Sequence, residues 1–160
     1  MNKTESPYDF TRDERGNYTV PVKAMITSCG NATPVGTFYT PAKWRWCTMI
    51  KNSEAQWVTQ VVGDYLLHSV PYDRRDPSTL RVTTMYNWLG TTQSSGCIRL
   101  TAGDAKWIYD NCGLGTRVVI TASESGGPIA KPSFEPIPDW HTWDPTDPNM
   151  QHLCDQKGCH

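Results

Sequence analysis

Short runs of β-branched and aromatic residues, each ended by glycine, proline or asparagine, occupy most of residues 18–70. Such runs are typical of strands, because branched side chains pack well on a pleated surface and glycine or proline interrupts it. Strands are predicted in YTVPVKAMITSCG, after the turn set by Pro34 and Gly36, in WRWCTMI, and on both sides of Gly63-Asp64. With 12 Gly and 12 Pro in 160 residues, the chain is expected to be mostly β with many turns.

One helix is predicted after Thr101. Thr101 and Asp104 have the spacing of a capping box with Asp in place of Glu. Apolar residues then recur along one helical face, at Ala105, Ile108, Tyr109 and Cys112. Gly113 is expected to end this helix in the left-handed conformation, and TRVVITA is expected to form a last core strand.

The length of the chain indicates one folded domain with flanking segments. Residues 1–17 are polar and are expected to form a loose lead-in, residues 18–123 the domain, and residues 124–160 an extension rich in Pro, Asp and Trp that wraps the domain or is partly loose. Residues 71–93 form a long excursion, and loops of that length in a compact domain are often functional.

Charge and hydropathy exclude two classes of function. The net charge of −1 gives no broad basic surface for nucleic acid. No run of about 18 apolar residues is present, so no transmembrane helix is predicted. The polar N-terminus lacks the apolar core of a signal peptide, and we expect any export or anchor segment to lie outside this chain.

The six cysteines, at positions 29, 47, 97, 112, 154 and 159, are typical of an exported protein. Cys154 and Cys159 are expected to pair, and the pairing of the others is left open. His152, Cys154, Cys159 and His160 are also four potential zinc ligands. Their spacing differs from the usual two-residue cysteine knuckle, so the disulfide is the preferred interpretation and no metal or other cofactor is predicted.

The stretch QSSGCIRL suggests a nucleophilic thiol at Cys97. Gly96 allows a tight turn and close approach of a substrate, and the N–H groups of Gly96 and Cys97 could face a developing oxyanion. In an extended stretch Arg99 projects to the same side as Cys97, where a guanidinium suits a substrate carboxylate. The competing interpretation is that Cys97 is an inert buried thiol, which is the commoner case for cysteine.

This region resembles the L,D-transpeptidase (YkuD-type) catalytic domain, whose signature runs Ser-His-Gly-Cys-(Ile/Val)-Arg-(Leu/Met). The matching residues are Ser94, Gly96, Cys97, Ile98, Arg99 and Leu100. Further matches lie upstream at Thr33, Pro34, Gly36, Phe38 and His68-Ser69, and downstream at Asp104-Ala105, Tyr109, Gly115-Thr116, Val118 and Ile120. The resemblance extends over roughly residues 20 to 121, which identifies the segment 18–123 as an L,D-transpeptidase-like catalytic domain.

The resemblance implies a role for each site residue. Cys97 is the nucleophile, His68 is the general base, and the backbone carbonyl of Ser69 holds the imidazole. Gly96 contributes to the oxyanion site, and the substrate-binding residues are Arg99, Ser95 and Ser94. The chain departs from the signature at Ser95, where the family usually has His, so the contribution of that second His is in question. His68 as a structural residue at a strand end is the alternative.

The fold implied by the resemblance is a mixed β-sandwich or partly closed barrel with one main α-helix. The implied activity is a peptidoglycan L,D-transpeptidase of a bacterial cell wall, expected in a Gram-positive organism. It would form 3→3 cross-links between donor and acceptor stem peptides through a cysteine thioester. No cofactor is required, carbapenem-type β-lactams are expected to acylate Cys97, and a monomer is expected. The alternatives are an L,D-carboxypeptidase using the same site, or a non-catalytic wall-binding module.

The excursion at residues 71–93 is expected to form a lid or a wall of the substrate groove. Its charged and aromatic residues have a simpler interpretation, in which Arg74, Arg75 and Arg81 are solvated and Tyr86 and Trp88 only pack.

Overall fold

The computed structural model describes residues 8–122 and 129–159. Within them the strands are β1 (Tyr8–Arg12), β2 (Tyr18–Ala24), β3 (Thr27–Ser28), β4 (Gly36–Tyr39), β5 (Lys43–Met49), β6 (Ser53–Val62), β7 (Tyr65–Ser69), β8 (Ile98–Leu100) and β9 (Arg117–Ile120). The helices are α1 (Thr83–Asn87), α2 (Ala102–Asn111) and α3 (Gln151–Lys157), and a 3₁₀ turn spans Ile50–Asn52. The prediction of a mostly β chain with one main helix is confirmed, since α2 is the longest of these helices.

A five-stranded sheet with the order β3-β8-β7-β6-β5 forms the centre of the molecule. Strands β7 and β8 are parallel and the other neighbours are antiparallel, so the sheet is mixed as predicted. Two antiparallel ribbons, β1-β2 and β4-β9, complete the architecture. The three sheets remain separate and open, so of the two expected forms the fold is nearer to the sandwich than to the partly closed barrel.

Helix α2 and the β4-β9 ribbon cover one face of the central sheet. The buried residues of this core are Met25, Cys29, Val61, Leu67, Ile98, Leu100, Ala105 and Ile108. Alternation along the strands directs these side chains inward, and α2 adds the stripe that its 3.6-residue period predicts. Strand β8, which begins directly after Cys97, is therefore anchored in this core by Ile98 and Leu100.

Of the two predicted ends of α2, the N-terminal one is confirmed and the C-terminal one is wrong. The Thr101 hydroxyl accepts a hydrogen bond from the Asp104 N–H, as expected for an N-cap. The prediction for Gly113 is wrong, because Cys112 ends the helix in an extended conformation and the residue with positive φ is Gly115. The Lys43 ammonium donates to the carbonyls of Tyr109 and Cys112. These carbonyls therefore need no glycine-based cap.

Three further sequence expectations require correction. The lead-in is not loose throughout, because β1 pairs with β2, while residues 1–7 lie outside the described chain. The run YTVPVKAMITSCG forms two strands, β2 and β3, which belong to different sheets. Strand β9 is a half-exposed ribbon strand and not a fully buried core strand.

The C-terminal extension packs tightly against the domain over its described part. Ile137 is buried in a second core with Ile26, with Val70 directly after β7, and with residues of the excursion. The members of that core are Ile26, Val70, Tyr72, Leu80, Tyr86, Leu89 and Ile137. The Asn87 side chain bonds both the N–H and the carbonyl of Ile137, at 2.8 and 2.9 Å. The excursion and the extension thus form one packed unit. Across the two described ranges, the helices are too short and too polar to cross a membrane.

Candidate active site

The parallel pairing of β7 with β8 determines which residues share a face. His68 lies beside Arg99 and Leu67 lies beside Ile98. Leu67 and Ile98 are in the core, so His68, Arg99 and Cys97 project from the opposite face by strand alternation. A gap of 29 residues in the sequence is thereby closed by a single strand pairing, and the three predicted residues come together.

His68 is 2% exposed, and its contacts fix its tautomer. Nδ1 lies 2.6 Å from the Ser69 carbonyl oxygen, and because a carbonyl can only accept, the ring proton is assigned to Nδ1. Nε2 then carries the lone pair. It is buried and makes no hydrogen bond to any described residue. Nε2 is therefore the ring atom that is available to a further partner.

Burial lowers the pKa of His68 to about 4, and the nearby Arg99 charge acts in the same direction against the Ser69 hydrogen bond. The imidazole is therefore neutral at pH 7 and able to accept a proton.

Cys97 lies at the entrance to β8 and is partly exposed. Its thiol donates to the Asp64 carbonyl over 3.4 Å. Burial raises the pKa of Cys97 above its ordinary value, while the Leu66 N–H and the Arg99 charge act in the opposite direction. The thiol is therefore protonated at neutral pH and needs a base to become a nucleophile.

The loop before Cys97 is held by the Ser94 side chain. The Ser94 hydroxyl donates to the Cys97 carbonyl over 2.5 Å and accepts from the Gly96 N–H over 3.1 Å. The Gly96 N–H is thus committed within the loop, which differs from the expectation that it faces an oxyanion. The Cys97 N–H is the remaining donor of that expectation, and Ser95 is exposed at the tip of the loop.

Thr33 and Gly30 support the same loop from a distant part of the chain. The Thr33 hydroxyl donates to the Gly96 carbonyl over 2.7 Å and accepts from the Gly30 N–H over 2.9 Å. A Cβ at Gly30 would lie 2.3 Å from the Ser94 carbonyl oxygen. Thr33 and its neighbours carry a motif in the sequence, but no local pattern predicts this contact between residues 63 positions apart.

Gly96 and Arg99 complete the site. Gly96 has φ of +151°, and a Cβ there would lie 2.7 Å from the Tyr65 ring, so only glycine fits. Arg99 donates to the Gln93 carbonyl over 3.3 Å and is partly exposed. A guanidinium has five N–H donors, so Arg99 retains capacity for a carboxylate next to the thiol.

The excursion residues mostly follow their structural interpretation. Tyr86 is buried, which confirms packing, and Arg75 pairs with Glu54 at 3.0 Å. Arg81 lies 3.9 Å from Asp73, and Trp88 is 39% exposed. A lid or wall formed by this segment stays a prediction.

The tail cysteines are thiols in this structure, in contrast to the expected Cys154–Cys159 disulfide. His152 is exposed, and His160 lies outside the described residues. Among residues 8–122 and 129–159, no group of three or more His, Cys, Asp or Glu side chains has an arrangement that could hold a metal ion.

The comparisons with known proteins assign the family. The family described as the L,D-transpeptidase catalytic domain, YkuD, matches residues 5–120. This chain belongs to the YkuD family of L,D-transpeptidase catalytic domains, which confirms the resemblance found in its motifs. The match begins upstream of the motifs, at the N-terminal segment that contains β1.

Individual relatives agree with that assignment. A protein of Bacillus subtilis (strain 168) described as a candidate L,D-transpeptidase, YciB, is 40% identical over 109 residues, which cover 65% of this chain and 55% of that protein. A crystal structure from Clostridium acetobutylicum ATCC 824, described as a fused Zn-dependent amidase/peptidase/peptidoglycan-binding domain-containing protein, is 27% identical with a TM-score of 0.53. The match covers 72% of this chain and 47% of the Clostridium chain.

An L,D-transpeptidase from Mycobacterium smegmatis has a TM-score of 0.55 at 21% identity, with 74% of this chain and 59% of that chain covered. At that identity the likeness shows the fold alone. The present chain spans about half the length of the Bacillus and Clostridium relatives.

Proposed function

We propose that this chain is a cysteine-dependent L,D-transpeptidase that forms 3→3 cross-links between peptidoglycan stem peptides. Family membership supports the reaction class. The observation that carries the proposal is the neutral, buried His68 on the sheet face of Cys97, with its proton fixed on Nδ1 by Ser69 and with a free lone pair on Nε2.

In the first half of the proposed reaction, Nε2 of His68 takes the thiol proton of Cys97. The sulfur attacks the carbonyl of the L-centre residue in a donor tetrapeptide, and the oxyanion is stabilised by the Cys97 N–H. The C–N bond then breaks, His68 returns the proton to the leaving amine, and a terminal D-amino acid departs. The product is a thioester between Cys97 and the donor stem.

In the second half, the amine of an acceptor stem attacks the thioester and its proton passes to His68. The tetrahedral species collapses, the C–S bond breaks, and the Cys97 thiol regains the proton. Arg99 holds a stem carboxylate near the sulfur. Such a substrate implies work at the cell wall, outside the cytoplasm.

A non-catalytic wall-binding module is less well supported. Binding alone gives no reason to bury an imidazole without a partner for Nε2, because such a nitrogen destabilises the fold. Water in place of the acceptor amine would give an L,D-carboxypeptidase through the same residues, and the test below separates the two reactions by their products.

The test is incubation of the full chain with a disaccharide-tetrapeptide, followed by mass spectrometry of the products. Wild type is expected to give the cross-linked dimer, and Cys97→Ala is expected to give none. Cys47→Ala is a matched control, because Cys47 is also a partly exposed thiol but belongs to β5 and not to the loop. His68→Gln is expected to lose at least about 100-fold in rate, and Ser95→Ala is expected to keep most of the rate.

The proposal fails if Cys97→Ala still forms product, or if Ser95→Ala loses more activity than His68→Gln. A tripeptide product without dimer, at high acceptor concentration, would identify a carboxypeptidase. Intact mass after exposure to a carbapenem supplies an independent readout, with one adduct expected on wild type and on Cys47→Ala but none on Cys97→Ala.

A further inference from the structure

The C-terminal end of α3 brings two thiols together. Gly158 has φ of +67°, and the N–H groups of Gly158 and Cys159 both donate to the Cys154 carbonyl, over 2.9 and 3.3 Å. This left-handed reversal folds the chain back on the last helical turn. The Cys159 side chain thereby packs against the small core that contains Cys154.

A histidine stands against the outer of these two thiols. His141 is 2% exposed, and its Nδ1 lies 2.7 Å from the Trp143 carbonyl oxygen, which assigns the ring proton to Nδ1. Its Nε2 lone pair then faces the Cys159 sulfur at 3.1 Å. The arrangement is that of a thiol with a general base in direct contact.

The two thiols differ in accessibility. Cys154 is 0% exposed, and its sulfur accepts a hydrogen bond from the Trp143 indole N–H over 3.1 Å. Cys159 is only partly buried, so a reagent in solution reaches its sulfur first. This asymmetry is the one that thiol–disulfide exchange uses, with an outer attacking thiol and an inner resolving thiol.

We propose that Cys159 and Cys154 form a thiol–disulfide exchange site, with His141 as its base and a small-molecule or protein disulfide as its oxidant. Burial and the contact with Cys154 raise the pKa of the Cys159 thiol, so a base is needed at neutral pH. The proposal does not rest on the transpeptidase function, because none of its three residues belongs to the candidate active site.

The exchange balances in two steps. His141 Nε2 takes the Cys159 proton, the sulfur attacks one sulfur of the oxidant, and a thiolate leaves with a mixed disulfide formed. The Cys154 thiol then gives up its proton and attacks the Cys159 sulfur, which releases the second thiolate. The two protons, one held by His141 and one from Cys154, pass to the two departing thiolates. Overall, the two protein thiols are oxidised to a disulfide, and the oxidant is reduced to two thiols.

The disulfide would fasten the extension where it contacts α2. The Asp144 carboxylate accepts from the Ala102 N–H over 2.6 Å, and the Thr146 hydroxyl accepts from the Gly103 N–H over 2.9 Å. Trp143 and Met150 pack with Cys154 in a small core between this contact and α3. Oxidation therefore tethers the segment that satisfies the first turn of the helix following β8.

The experiment incubates the fully reduced full chain with oxidised glutathione, quenches with iodoacetamide, and counts labels by intact mass and peptide mapping. Wild type is expected to lose two labels and to gain a 154–159 link before Cys47 or Cys97 reacts. Cys154→Ser is expected to trap a glutathione adduct on Cys159, whereas Cys159→Ser is expected to leave Cys154 unmodified. His141→Gln is expected to slow adduct formation at least about tenfold.

Four outcomes would overturn the proposal. They are retention of all six labels, a link between other cysteines, an adduct on Cys154 in the Cys159→Ser variant, and an unchanged rate in His141→Gln. A stoichiometric metal ion in native mass spectra that protects both thiols would also overturn it in favour of a metal site. Circular dichroism of each variant checks that its fold is retained. The rate of adduct formation in Cys154→Ser is a second measurement, which stays informative if His141→Gln does not fold.

Discussion

At the scale of single residues, burial sets the resting state of the candidate catalytic pair. It lowers the pKa of His68 to about 4 and raises the pKa of Cys97 above its ordinary value, so both groups are neutral at pH 7. Moving the proton from sulfur to nitrogen is therefore unfavourable before substrate binds. The pair does not rest as thiolate and imidazolium, and we expect proton transfer to accompany attack on the substrate.

This resting state predicts the pH dependence of Cys97 alkylation. Because the thiolate is the reactive species and burial raises the pKa of Cys97, the rate of reaction with iodoacetamide is expected to rise steadily with pH through the neutral range and beyond it. It should show no inflection near 6.5, where an ordinary histidine titrates. Peptide-resolved mass spectrometry follows Cys97 separately from the other cysteines. A plateau in the rate between pH 7 and 8 would instead reveal a preformed thiolate and contradict this account.

Gly30 predicts a second effect at the residue scale. In Gly30→Ala the new Cβ would lie 2.3 Å from the Ser94 carbonyl oxygen and 2.6 Å from the Gly96 nitrogen, both backbone atoms. The loop must move, and we expect a loss of roughly 2 kcal/mol of stability together with a large loss of carbapenem acylation. Chemical denaturation and intact mass measure the two effects.

Gly113→Ala is the matched control for that substitution. A Cβ at Gly113 meets no atom within 4 Å, and φ there is not positive, so little change is expected. Equal effects of the two substitutions would show that the contact of Gly30 with the loop has no special importance.

The sequence predicted these residues unevenly. His68, Ser69, Cys97 and Arg99 could be predicted because each belongs to a short motif whose order along the chain is informative, and their roles stay predictions. Gly30 and the hydroxyl contact of Thr33 were not found, since they act across 60 or more residues through backbone atoms. The oxyanion expectation for Gly96 is not supported by the resting loop, because the Ser94 hydroxyl competes for the same N–H.

At the scale of elements, the sequence predicted the helix whose signals are local and missed the helices that depend on distant contacts. Helix α2 was found because its cap and its apolar stripe are both local signals. Helices α1 and α3 were missed, since they have five and seven residues and depend on contacts with distant segments. The end of α2 was misjudged for a related reason, because a lysine from β5 replaces the glycine cap.

The extension provides a prediction about elements. A chain ending at residue 128 loses Ile137, Asp144 and Thr146, which exposes the second core and leaves the N–H groups of Ala102 and Gly103 without these partners. We expect it to unfold or aggregate at 25 °C, although the family match ends at residue 120. Circular dichroism and thermal denaturation would measure this.

A chain ending at residue 150 is the matched control for the first truncation. It keeps Ile137, Asp144 and Thr146 and loses only α3, so it is expected to fold with a modest decrease in Tm. Full stability of the chain ending at residue 128 would show that the extension is dispensable for the fold.

At the scale of the whole molecule, two buried ionisable groups oppose each other in their effect on stability. Burial raises the pKa of Asp144 to about 6, despite hydrogen bonds from Thr146 and Ala102, whereas burial lowers the pKa of His68 to about 4. Between pH 4 and 6 the folded chain holds more protons than the unfolded chain at Asp144 and fewer at His68. Their contributions to the pH dependence of unfolding therefore largely cancel.

Removing either group should reveal how the other group makes the free energy of unfolding depend on pH. In Asp144→Asn only His68 remains, so the free energy of unfolding is expected to fall as pH drops from 6.5 to 4, by up to about 1.4 kcal/mol per pH unit. In His68→Gln only Asp144 remains, so that free energy should fall as pH rises from 4 to 6. Urea denaturation at a series of pH values measures both slopes, and the comparison is of slopes because either substitution also changes absolute stability. Slopes of the same sign in the two variants would mean that one group is not buried in the ionisation state assigned to it. Since His68 serves the candidate site and Asp144 caps the helix that follows it, such a result would also weaken the case for a neutral base at Cys97.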